Sequence, residues 1–156
     1  MEKPKLVHLK KELAVSSRDE LLEICLRLAK HKVENKEFLH YLLFDAKNET
    51  IFVAEVQNHI TTQFAEINNT NYYWMRKSIR KILKETKKYI RFSKSKSTEI
   101  ELLLHFLAEM LKLKPNILKD KRLSNLYERN LLMLDKKINA VHEDLQYDYH
   151  LKREAL

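Results

Sequence analysis

Seven cations recur along one stretch of this chain at the spacing of a single helical face: Arg76, Arg80, Lys84, Lys87, Lys88, Arg91 and Lys94. From Arg76 to Lys96 ten basic residues stand against one acid, Glu85, so the segment holds +9 while the whole 156-residue chain holds +8. The rest of the chain is close to neutral, which makes the basicity local, and a local charge excess can be a binding surface. With Arg76 at zero, Arg80, Lys84, Lys87, Arg91 and Lys94 fall at about 40, 80, 20, 60 and 0° around a helix. Lys77, Lys88 and Lys81 follow at about 100, 120 and 140°, and Met75, Ile79, Ile82, Leu83, Tyr89 and Ile90 fall between about 220 and 340°. The pattern predicts one apolar face and one continuous basic ridge roughly 28 Å long. Its chemistry is anion recognition. Duplex phosphates recur at about one charge per 1.7 Å of axis, so such a ridge meets several of them, and Tyr73 and Trp74 stand near its start, where they can stack on bases.

Two ordinary explanations compete with that reading. Cations in the last turns of a helix are favoured by its dipole, which accounts for Lys87, Lys88 and Arg91 without a partner. Glu101 and Glu109 also follow on the next helix, where a hairpin can bring them alongside for internal neutralisation. The alternatives are a solvated or internally paired face and a surface for an anionic partner. Among such partners nucleic acid ranks ahead of an acidic protein and of a membrane surface, because membrane binding needs the apolar face free.

Other chemistry is thinner. Glu101, His105 and Glu109 lie one turn apart, and Glu55 with His59 repeats the spacing. Histidine and carboxylates are metal ligands, but di-metal bundle sites use Glu-x-x-His at i, i+3, and solvent-facing i, i+4 pairs account for these residues better. These residues give no metal, cofactor or catalytic assignment. Cys25 is the one cysteine, flanked by Leu21, Leu22, Ile24 and Leu28, so a buried structural thiol is expected. Tyr72-Tyr73-Trp74 reads first as a core anchor at a helix start. Glycine is absent, which removes the phosphate-cradling and dinucleotide-binding loops and argues against hairpin-rich β folds.

These residues need helices to hold them. The hydrophobic fraction is 44% and the charged fraction 33%, a globular balance. The expectation is a single all-α domain over residues 1–156, with five or six helices as antiparallel hairpins in a bundle or short superhelical array. After a short amphipathic segment over 5–13, the predicted helices cover 17–32, 35–47, 49–67, 71–92, 98–113 and 116–148. Ser17 with Glu20, and Thr98 with Glu101, read as capping boxes, and Asn35 as a further cap. Asn68-Asn69-Thr70-Asn71 is a loop in which asparagine can take the left-handed role of the missing glycine. Past Pro115 no breaker appears, so one long C-terminal helix is expected. Along it Tyr127, Leu131, Leu134, Ile138, Val141 and Leu145 alternate by four and three. Packing within the protomer is the first reading of that seam and a homodimer the second.

The stretch Leu9-Lys10-Lys11-Glu12-Leu13 followed by Ser17-Arg18-Asp19-Glu20-Leu21-Leu22 resembles a family of small all-helical bacterial proteins with no assigned activity. The resemblance covers about the first hundred residues and implies an α fold and a bacterial cytoplasmic address. It carries no functional residues over. No charged-then-apolar leader and no apolar run of about 18 residues is present, so a cytoplasmic protein without integral membrane association is expected. The functional expectation is a non-enzymatic helical interaction or scaffold protein. Sequence-nonspecific nucleic-acid binding through the 76–94 ridge is the alternative, and an enzyme or metal-binding protein without a legible motif comes third.

Overall fold

The computed structural model describes residues 3–156. Eight α-helices and no strands occur among them: α1 (Leu6–Val15), α2 (Arg18–His31), α3 (Val33–His40), α4 (Glu49–Ala65), α5 (Tyr72–Phe92), α6 (Lys96–Lys112), α7 (Lys121–Ile138) and α8 (Glu143–Glu154). A π-helical turn over Tyr41–Asp45 follows α3, and a 3-10 turn over Ile117–Lys119 precedes α7. The all-α class holds, with more helices than the five or six expected. None of the described helices is long and apolar enough to cross a membrane.

The chain divides into two compact units, Met1–Phe44 and Asp45–Leu156. In the first, α2 packs against α3. Ser17 caps α2 by the expected box, its hydroxyl accepting from the Glu20 amide at 3.2 Å while the Glu20 carboxylate accepts from the Ser17 amide at 2.7 Å. The hydrogen bond from the Ser17 amide, with one from the Ser17 hydroxyl, holds the Glu20 carboxyl below the usual carboxylate range. Asn35 does not cap α3. Its side-chain amide donates to the Leu28 carbonyl at 2.8 Å, closing the α2–α3 corner. Between them α1, α2 and α3 bury only Ala29, so Cys25 is exposed and not the buried thiol its neighbours suggest. Its apolar neighbours Leu22 and Leu28 are themselves exposed.

In the second unit α6 is the axle, packed on α4, α5, α7 and α8. Ile100, Leu102, Leu103, Phe106, Leu107 and Met110 of α6 are fully buried, and this spread over more than one face is what a central helix requires. Phe106 meets Phe64 of α4 with ring centroids 5.4 Å apart. From α5, Met75, Ile79, Ile82 and Leu83 enter the same core, as its apolar arc predicts. Asn48 and Asn71 cap α4 and α5, each accepting from the amide three residues on. No described residue has a positive φ, so the asparagines around 68–71 do not take the left-handed role assigned to them. Asn68 instead accepts from the Thr70 amide and hydroxyl, and Asn69 donates to the Lys114 carbonyl. Ser95 caps α6 in place of Thr98. Thr98 is buried, and its hydroxyl joins Ser93 in donating to the Glu49 carboxylate.

The single helix expected over 116–148 is three elements. Asp120 caps α7, accepting from the Leu123 amide at 3.0 Å, and His142 caps α8 through Nδ1. The carbonyls freed at the α7–α8 break are met by side chains: Gln146 donates to Asn139 and Val141, and Lys96 to Ala140. Satisfied carbonyls remove the penalty that otherwise keeps a helix continuous. The seam residues Tyr127, Leu131, Leu134, Ile138, Val141 and Leu145 are thereby split between α7, the break and α8. Leu134 and Ile138 are both 0% exposed, committed to the core of the protomer. Arg153 of α8 grips Asp135 of α7 with two guanidinium hydrogen bonds, and Lys137 of α7 pairs with Glu99 of α6 at 3.0 Å.

Candidate polyanion-binding face

The seven predicted contact residues all lie on or just past α5, and the structure sorts them. Arg76 donates to Asp120 at 2.7 Å in a pair with 21% and 14% side-chain exposure, so it is a tie between α5 and the α7 cap. Lys88 is also drawn in, with 15% side-chain exposure, its ammonium 3.7 Å from Glu85 and 4.5 Å from the Tyr89 ring centroid. Lys87 is half-buried, while Arg80, Lys84, Arg91 and Lys94 are exposed. None of Arg80, Lys84, Lys87 and Lys94 makes an ion pair among the described residues. The acid within the segment points elsewhere. Glu85 faces α4, accepting from Gln63 and sitting 3.3 Å from His59 Nε2. Burial pushes its carboxyl up, but the Gln63 and His59 hydrogen bonds, with the Lys88 and His59 charges, more than reverse that and leave it below its ordinary value.

The glutamates expected to neutralise the ridge do not turn to it. Glu101 accepts from the Tyr149 hydroxyl at 3.1 Å, and Glu109 pairs with Lys112 on its own helix. His105 lies 2.8 Å from the Thr61 hydroxyl, and burial pushes its imidazole pKa down. Glu109 is buried and Glu101 and His105 are half-buried, each with a neighbouring partner, so these are not fully solvent-facing pairs. No cluster of three or more potential metal ligands occurs among the described residues. Tyr72 anchors the start of α5 by donating to the Asn116 carbonyl. Tyr73 and Trp74 are exposed, in edge contact with each other at 5.1 Å, and Lys77 sits 5.4 Å over the Trp74 ring. Tyr72 is half-buried, so none of the three is the core anchor expected.

Two cations that sequence spacing did not single out join this face. Arg122 and Arg129 of α7 line a cleft of about 470 Å³ together with Arg80 of α5, Asn125, Glu128 and Leu132. The signal was present in outline, since positions 122, 125, 129 and 132 share one helical stripe. It was hidden because these positions belong to a different helix from the +9 segment. The Arg76–Asp120 pair ties the start of α7, which packs on α6, to α5. Compared with known protein families, with curated proteins and with solved structures, the chain matches none, so its role is read from this geometry.

Proposed function

We propose that the chain is a non-enzymatic helical interaction protein, that its working surface is the basic face of α5, and that its partner is a nucleic acid bound without sequence preference. The observation that carries this reading is the exposure of Arg80 and Lys84 on α5, and of Lys94 in the loop just past it, with no ion pair among the described residues. Cations left uncompensated along a rigid helix release counterions when they meet phosphate, which drives association and makes it salt-dependent. Titrating a fluorescent 20-base-pair duplex at several salt concentrations tests it. Five phosphate contacts give a slope of log K against log salt of about −4.5. A flat salt response, or binding unchanged after Arg80, Lys84 and Lys87 are all replaced by Glu, refutes the reading.

A second reading, a scaffold working through protein contacts of the first unit, is favoured by an apolar groove of about 270 Å³ lined by Cys25, Leu28, Ala29, Phe38, Leu39 and Leu42. An anilinonaphthalene sulfonate dye should bind there and be released by Leu28→Lys with Phe38→Lys. Dye fluorescence no higher than with a well-packed control protein removes that reading.

A further inference from the structure

We infer that the cleft between α5 and α7 is a binding channel for single-stranded nucleic acid, with Arg80, Arg122 and Arg129 holding its phosphates. This rests on the reading of the basic face as a nucleic-acid surface and names which nucleic acid and which residues. Three arginines line one cleft with a single carboxylate, Glu128, among its lining residues. All three arginines are exposed, and none forms an ion pair among the described residues. Arg129 is steered by its own helix, its Nε donating to the Asn125 carbonyl at 3.3 Å. Arg122 and Arg129 are seven residues apart, which is two turns or about 10.5 Å along α7. They therefore track an extended backbone and do not clamp one phosphate.

Shape and stacking select a single strand over a duplex. A cleft of about 470 Å³ has room for one extended backbone but not for the body of a duplex, which can only lie across its rim. Tyr73 falls at about 60° around α5, on the arc of Arg80 at about 40° and Lys84 at about 80°, and it is exposed. It is therefore an aromatic platform on the same face as the cations, the combination with which proteins hold unpaired bases. An acidic protein segment would find the charges but has no use for the ring.

Anisotropy of a labelled 12-nucleotide oligothymidylate, with the 20-base-pair duplex measured beside it, tests the channel. Contacts from the three cleft arginines and from the exposed Lys84, one turn beyond Arg80 on the α5 ridge, give a slope of about −2.8, so affinity should fall about 50-fold between 50 and 200 mM salt. Arg122→Ala with Arg129→Ala removes two contacts, so the same salt step should then cost only about 7-fold. Duplex binding, which runs along the α5 ridge, should lose much less affinity in that variant than oligothymidylate binding does. Tyr73→Ala should weaken the oligothymidylate by about 10-fold, from the loss of one stacked base. Glu128→Gln should tighten it, a gain that misfolding cannot produce. If Arg122→Ala with Arg129→Ala leaves the oligothymidylate slope intact while Arg80→Glu with Lys84→Glu abolishes binding, the channel is wrong and the ridge reading survives. If neither nucleic acid binds, both fall. If a polyglutamate of equal charge displaces the oligothymidylate as well as unlabelled oligothymidylate does, the site is a generic polyanion site and the inference is overturned.

Discussion

Asp120 performs two jobs at once, and its removal gives the sharpest stability test of the second unit. One carboxylate oxygen accepts from the Leu123 amide at 3.0 Å and caps α7; the other accepts from Arg76 at 2.7 Å. Loss of an N-cap costs about 1 kcal/mol. Loss of a charge-assisted hydrogen bond costs about 1.5–3 kcal/mol, and the lower end applies because both side chains retain some solvent contact. Asp120→Ala should therefore destabilise by about 2.5 kcal/mol, lowering Tm by roughly 5–10 °C. Arg76→Ala should cost about 1.5 kcal/mol, the ion-pair share alone. The double variant should cost no more than Asp120→Ala, because the pair can be lost only once. Thermal unfolding followed by circular dichroism at 222 nm reads all three. A Tm drop under about 2 °C for Asp120→Ala, or a double variant equal to the sum of the singles, refutes the coupling and with it the account of what ties the start of α7 to α5.

Two further outcomes follow from packing and titration. Leu134→Ala should cost about 3–5 kcal/mol by leaving a cavity in the core, whereas Leu132→Ala, at a position 63% exposed, should cost under about 0.5 kcal/mol; equal effects in chemical denaturation would place the seam outside the core. The depressed Glu85 carboxyl contributes stability that is present above the unfolded carboxylate pKa and is lost as pH falls through its lower folded value. Glu85→Gln should accordingly lower stability at pH 7 and flatten the acid limb of the stability–pH profile, and an unchanged limb contradicts the assignment.

Much of the architecture was legible along the chain. The all-α class follows from the missing glycine and the 3.6-residue periodicity. The start of α2 follows from the Ser17 capping box, and α4 and α5 start within a residue of the expected positions, capped there by Asn48 and Asn71, which the sequence reading does not include as caps. The break after Ile138 was not legible, because no proline or glycine marks it. It is permitted by Gln146 and Lys96, which reach its carbonyls from elsewhere in the sequence. Cys25 was misplaced for a related reason: apolar neighbours define a face but do not supply anything to cover it.

The candidate site divides along the same line. Sequence alone determined that Arg76 to Arg91 lie on one helix with cations on one side and apolar residues on the other, since that depends only on spacing within one element. Tertiary structure decided which cations are used internally, removing Arg76 to Asp120 and Lys88 to Glu85. It also turned Glu101 and Glu109 away from the ridge and brought Arg122 and Arg129 to it. Charge pairing and cleft formation depend on distances between elements far apart in the chain, and those distances are fixed by core packing around α6, which a linear pattern does not encode.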